Sequence, residues 1–222
     1  MLDKTWVAVM NDRNINYYNN LGVNTLQQLA VVGGFNTCID LDTVSKYINT
    51  NSSILELGAG YGRCIDYFIA RSHKGKLIGV ERSPVLFQYL IQKFDGTPVQ
   101  LIEGDIKNLS LPVKVDVALW MWSGIIDFSK EEQEESFNKI YKLLNAEGKL
   151  IIDVPRIGFK TYAHHIDDQH LHVENEYGTL DCFIPNVKDI KEMAKSAGFR
   201  KVEVMDYDTS TGKARTVYLV FK

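Results

Sequence analysis

Ile54-Leu55-Glu56-Leu57-Gly58-Ala59-Gly60-Tyr61-Gly62-Arg63 decides how the rest of this chain is read. The apolar run from Ile54 to Leu57 has the character of a strand buried on both faces of a parallel sheet. It breaks into three alternating glycines, and a helical stripe of Ile65, Phe68 and Ile69 follows. Strand, glycine turn and helix in that order form the first βα unit of a nucleotide-binding sheet. Glycine lets the backbone turn sharply and lets a ligand approach where a Cβ would collide. The helix start beyond it offers unpaired N–H groups to an anion.

Two further strand ends lie at informative distances. Leu77-Ile78-Gly79-Val80 runs into Glu81, 23 positions after Gly58, close to the roughly 20 expected of an acid that accepts hydrogen bonds from a ribose. Ser83 caps the next helix and Pro84 opens it. Val99-Gln100-Leu101-Ile102 leads into Glu103-Gly104-Asp105-Ile106. A dinucleotide fingerprint would place its third glycine at position 63, where close helix–strand packing needs a small residue; this chain has Arg63.

Glu56 followed by Gly58, Gly60 and Gly62 resembles the first motif of the class I S-adenosylmethionine-dependent methyltransferases, an acid, any residue, then G-x-G-x-G. Glu81 and the Glu-Gly-Asp turn resemble the next two motifs, in the family's order. The resemblance covers residues 40–155 by motif and the remainder by topology. It implies a three-layer αβα sandwich around a seven-stranded, mostly parallel sheet of order 3-2-1-4-5-7-6 with an antiparallel last strand. It also implies S-adenosylmethionine as methyl donor and S-adenosylhomocysteine as product. The cofactor residues would be Glu56, Gly58, Ala59, Gly60 and Tyr61, then Glu81 and Arg82, then Asp105 and Ile106 at the adenine.

Composition agrees with one globular domain: 222 residues, 45% hydrophobic, 24% charged and a net charge of −3. There is no overall basic signature for nucleic acid, and no apolar run of the roughly 20 residues that span a membrane. The first residues lack a signal-peptide pattern. Cys38, Cys64 and Cys182 are odd in number and far apart, which argues against a disulfide framework and for a cytoplasmic home.

Within the domain, residues 1–40 form a leading helical cap, 41–155 the cofactor-binding core, 156–185 an insertion and 186–222 a closing helix and hairpin. Asn11 to Asn20 reads as a loop or irregular helix, Leu21 to Val32 as a helix stopped at Gly33-Gly34. By the resemblance, Tyr17 or Tyr18 reaches the methyl donor; either could equally anchor the cap. Leu41 to Ile48 reads as a short helix capped by Asp42. The fourth strand runs from Val115 through Trp122, so Trp120 and Trp122 share a face if the strand persists. Trp120 could meet the donor's sulfonium, because aromatic faces attract cations by about 0.5–2 kcal/mol. Either indole could hold a flat or apolar acceptor. Ser129 to Leu144 is an amphipathic helix, Asn145 to Gly148 its end, and Lys149 to Pro155 the fifth strand.

The insertion holds Tyr162, a further candidate for the acceptor, and His164, His165, His170 and His172. His172 to Glu174 and Leu180 to Phe183 suggest a hairpin turning at Gly178. Metal binding by His-x-His is conceivable, but surface histidines account for the pattern, and no metal is expected. A general base, where the acceptor needs one, would come from His164, His165, His170 or Asp127. Val187 to Ala197 is the last helix, stopped by Gly198; Phe199 to Asp206 and Arg215 to Phe221 close the sheet. The resulting expectation is methyl transfer to a small-molecule acceptor, with no nucleic-acid or membrane partner. The alternatives are a protein methyltransferase, a nicotinamide oxidoreductase, or a non-catalytic nucleotide-binding protein of the same fold.

Overall fold

The computed structural model describes residues 4–158 and 164–222, with residues 4–12 and His164 in backbone only. Seven strands form the main sheet: β1 (Ile54–Leu57), β2 (Leu77–Glu81), β3 (Gln100–Glu103), β4 (Val115–Trp120), β5 (Leu144–Pro155), β9 (Lys201–Asp208) and β10 (Ala214–Phe221). Their spatial order is β3-β2-β1-β4-β5-β10-β9. Counted among the sheet's own strands, that is 3-2-1-4-5-7-6. The first five run parallel; β10 lies antiparallel to both β5 and β9.

Alternation along each strand splits the core in two. Leu55, Leu57, Trp120, Ile152 and Tyr218 face α5 (Lys130–Leu143) and α6 (Val187–Ala197), which bury Phe137, Ile140, Ile190 and Met193. Ile54, Leu119, Ile151 and Leu219 face the helices α2 (Ile39–Ser45), α3 (Arg63–Ala70) and α4 (Pro84–Lys93). This is the three-layer αβα sandwich. Caps set the helix ends: Ser129 with Glu132 and Asn186 with Asp189 form capping boxes, and Gly198 ends α6 in the left-handed region.

Several boundaries differ from the sequence expectation. The helix α1 (Lys4–Gly33) includes the asparagine-rich stretch, and only Gly22 departs from helical geometry (φ 68°, ψ 174°). Asp42 does not cap α2, which starts earlier, at Ile39: Cys38 holds the N-cap position in a left-handed conformation without a side-chain cap bond, and Asp42, inside the helix, accepts from Tyr67 and Arg71. Asn145–Gly148 belongs to β5, where the register against β4 shifts between Val115 and Val117. β4 stops at Trp120, so its alternation does not carry on to Trp122. The insertion is a three-stranded sheet, with β6 (His164–His165) pairing beside β7 (His170–Asn175) and β8 (Gly178–Phe183).

Candidate active site

The carboxyl ends of β1, β2, β3 and β4 open into a cavity of about 280 Å³, where ligands sit in open α/β sheets. Glu56, Glu81 and Asp105 all line it, together with Gly58, Ala59, Gly60, Tyr61, Arg82 and Ile106. Gly58 has φ 71° and open space where a Cβ would stand, so the first glycine leaves the cavity floor bare. Gly62, at φ 81°, answers a different need: a Cβ there would lie 2.5 Å from the Phe94 ring.

The acids are held differently. Glu81 accepts the Gly60 N–H and the Ser83 N–H, each at 2.8 Å, which fixes its carboxylate across the glycine turn. Burial still pushes its pKa up, against those two backbone donors. Glu56 is buried and one of its oxygens has no partner. Burial raises it to about 8, with the Cys64 thiol and Arg63 opposing. A buried unpartnered carboxyl oxygen at a cavity wall suits a cationic or hydrogen-bond-donating ligand group. Asp105 accepts the Lys107 N–H at 2.8 Å and lies 3.9 Å from Arg82.

Arg82 also lies 3.5 Å from Asp127, and its guanidinium sits over the Phe128 ring at 4.6 Å. Asp127 lines the cavity and is raised to about 6 by burial, against the pull of Arg82. The Tyr18 hydroxyl donates to it at 3.3 Å. Of the proposed bases, Asp127 alone lies in the cavity among the described side chains. His165 and His170 do not line it, and the His170 ring pairs with Asp167 at 2.8 Å. The His164 side chain and Tyr162 lie outside the described residues. His172 pairs with Asp181 at 2.6 Å. Among the described residues, no three His, Cys, Asp or Glu side chains gather where they could hold a metal ion.

The lid comes from α1 and β8: Tyr17, Tyr18, Leu21, Leu26, Leu29 and Leu180 line the cavity. Leu26 lies 3.4 Å from where a Cβ on Gly60 would be. Buried Asn14 donates to the Asp127 and Asp181 carbonyls and accepts the Asp181 N–H. Trp120 lines the cavity yet is 1% exposed, packed on Phe128. Trp122 belongs to a separate cluster with Tyr61 and the lid.

Sequence reasoning missed the buried frame behind this wall. Arg63 pairs with Asp40 through both nitrogens (2.8 and 2.6 Å), and Arg215 pairs with Asp153 (2.6 and 3.2 Å). Both guanidiniums lie near the Phe35 ring, at 5.6 and 5.1 Å. Arg63 at the first helical position after a glycine turn was the available signal, since a charge there needs a buried partner or a ligand.

Residues 54–148 match the family described as a methyltransferase domain. That match runs from β1 into β5, and the chain shares the fold of solved S-adenosylmethionine-dependent methyltransferases. The chain is 25% identical over 114 residues to a carboxy-S-adenosyl-L-methionine synthase of Citrobacter koseri, covering 48% of this chain and 45% of that protein. It is 28% identical over 166 residues to an arsenite methyltransferase of Halobacterium salinarum, covering 72% and 40%. The chain thus spans less than half the length of these relatives. Among solved structures, a 1,6-didemethyltoxoflavin-N1-methyltransferase of Burkholderia thailandensis, with its substrate and S-adenosylhomocysteine bound, superposes with a TM-score of 0.69 at 17% identity, covering 98% of this chain and 89% of that one. The amino pentose methyltransferase CalS10 of Micromonospora echinaspora gives 0.61 at 14% identity, covering 87% and 96%.

Proposed function

We propose that this chain transfers a methyl group from S-adenosylmethionine to a small-molecule acceptor. The observation that carries the reading is the convergence of Glu56, Glu81 and Asp105, from the ends of three neighbouring strands, on one glycine-floored cavity. The unpartnered Glu56 oxygen suits the amino-acid end of the donor. Glu81, with each oxygen already oriented by a backbone N–H, retains lone pairs for two ribose hydroxyls. Asp105 and the backbone at Ile106 take the adenine. Tyr61 and the lid residue Tyr17 close over the donor, and Trp120 backs the wall from within the core. When bound, the donor supplies an electrophilic methyl on a sulfonium. The chain's own part is to exclude water under the lid and hold the acceptor in line, which accounts for much of the rate in such reactions. Where an acceptor needs a proton removed, Asp127 is the base the cavity offers.

Calorimetry with S-adenosylhomocysteine and with NADH tests the reading. Binding of the first and not the second is expected; the reverse, or neither, ends it. Release of S-adenosylhomocysteine across a broad acceptor screen separates an enzyme from a non-catalytic nucleotide-binding protein. Methylation confined to peptides would instead favour a protein methyltransferase. No described helix is long and apolar enough to cross a membrane. Free cysteines at 38, 64 and 182 fit a reducing cytoplasm.

A further inference from the structure

Once the acids and the glycine turn are given to the donor, the rest of the cavity has its own chemistry. Leu21, Leu26, Leu29, Leu180 and Trp122 line it. Trp122 is held in an unusual way. Its φ is 46° and that of Ser123 is 68°, two consecutive side-chain-bearing residues in the left-handed region that L residues rarely enter. Such geometry persists only where the surroundings enforce it, and it gathers at functional sites.

Here the enforcement is visible. The Ser123 N–H donates to the Asp153 carbonyl at 2.9 Å, and its hydroxyl accepts from Arg215 at 2.7 Å. Arg215 is itself locked to the Asp153 carboxylate. The indole is backed by Phe35, centroid to centroid 5.1 Å at 33°, and met edge-on by Tyr61 at 6.5 Å and 83°. It remains partly exposed on the cavity. Strain would not be needed merely to bury a tryptophan; it turns the ring out of the strand's line and into the cavity. The same end is poor in bases. Among the described residues no histidine lines the cavity, Asp127 is engaged with Arg82 and Tyr18, and burial pushes Tyr61 up to about 12.

We infer that Trp122 is a stacking platform for a flat heteroaromatic acceptor that is methylated on a ring nitrogen. The inference rests on the methyl-transfer reading and names its acceptor class. A ring nitrogen brings its own lone pair, so no protein base is required. That pair forms the N–C bond as the S–C bond breaks, and the S–C electron pair stays on sulfur as a thioether. The positive charge passes to the ring, and any proton the nitrogen carried leaves to water. Arg215 and Ser123 are positioning residues that act through Trp122.

The test uses the full chain saturated with S-adenosylhomocysteine, whose own binding is measured first by calorimetry. Failure at that step removes the cofactor reading and is distinguishable from a failure to bind the acceptor probes. Quinoline, 4-hydroxyquinoline and lumazine are then titrated by calorimetry, with decahydroquinoline as the puckered counterpart. At least one flat probe should bind about tenfold more tightly than decahydroquinoline, as expected of stacking on an aromatic face. Trp122→Leu should erase that preference while leaving S-adenosylhomocysteine affinity within about twofold, and Trp122→Phe should keep most of it. The pair of variants keeps the test sound if one of them folds poorly. Binding of no flat probe, preference for decahydroquinoline, or a Trp122→Leu protein that binds flat probes as the parent does would overturn the inference.

Discussion

The two walls of the cavity are built by opposite means. On the strand-end wall, groups are set by backbone: Glu81 is gripped by the Gly60 and Ser83 N–H groups, and every part of it belongs to the seven-stranded sheet or its turns. On the lid wall, side chains do the tying. Asn14 reaches Asp127 and Asp181, Asn19 accepts the Ser83 hydroxyl, Asn20 donates to Tyr177, and Asn175 donates to the Tyr17 hydroxyl. A backbone-set wall suits groups whose positions the ligand dictates, such as the nucleoside proposed for it. A wall tied by amides can be re-cut residue by residue, and under the proposed function it faces the acceptor.

The largest blow to this contrast should come from beneath the strand-end wall. Arg215→Met leaves Asp153 buried without its partner and should cost about 3–5 kcal/mol in denaturant unfolding. A loss under about 1 kcal/mol would show that the wall does not depend on that pair.

Next comes Glu56→Gln. Removing a charged partner from a donor's ammonium group should weaken S-adenosylhomocysteine binding about 10–100-fold in calorimetry. The pH dependence sharpens this. With Glu56 raised to about 8, the free protein carries it protonated at neutral pH, and pairing with an ammonium requires ionisation. Affinity should therefore rise with pH up to about 8 and level off above it, with proton release seen as a dependence on buffer ionisation enthalpy; Glu56→Gln should flatten the slope. The same shift acts on the ligand-free fold. The folded state keeps this proton from the ordinary value of 4.5 up to about 8. Its contribution to stability is thus full below the lower value and gone above the upper one.

Smaller still is Asn14→Ala, which strands polar groups of the lid and should cost about 1–3 kcal/mol. Hydrogen exchange should quicken in α1 and β8 and leave β1, β2 and β4 unchanged; uniform loss of protection would mean that the two walls are one cooperative unit. The smallest effect is expected of Arg200→Ala in the same unfolding measurement, since its exposed pair with Glu147 is worth about 0–1 kcal/mol.

Much of the fold could be read in the sequence because its signals are local. Buried strands such as Leu77–Val80 are unbroken apolar runs, and the capping box of Ser129 and Glu132 marks its helix start. The strand-end acids were legible for the same reason, each lying on its strand or directly after it. The lid was not. Asparagine is a poor helix former, and what recruits Asn14 to a helix lies 113 and 167 residues away. The end of α5 was legible to within a residue, but Asn145–Gly148, turn-like in composition, lie inside β5 as the bulge where the register against β4 jumps from Leu144 to Lys149. Asp40, Arg63, Asp153 and Arg215 look like surface charges in a linear chain; only contacts across 23 and 62 positions bury them.

Tyr207 stands on β9, the outermost strand of the sheet, where proteins ordinarily accept change most freely. Its hydroxyl nevertheless donates to Asp153 at 2.8 Å, the residue whose carbonyl and carboxylate together steady the turn carrying Trp122. One oxygen atom at the rim therefore belongs to the foundations of that turn, and phenylalanine in its place would keep the shape of the edge while loosening a hinge-pin two strands inward.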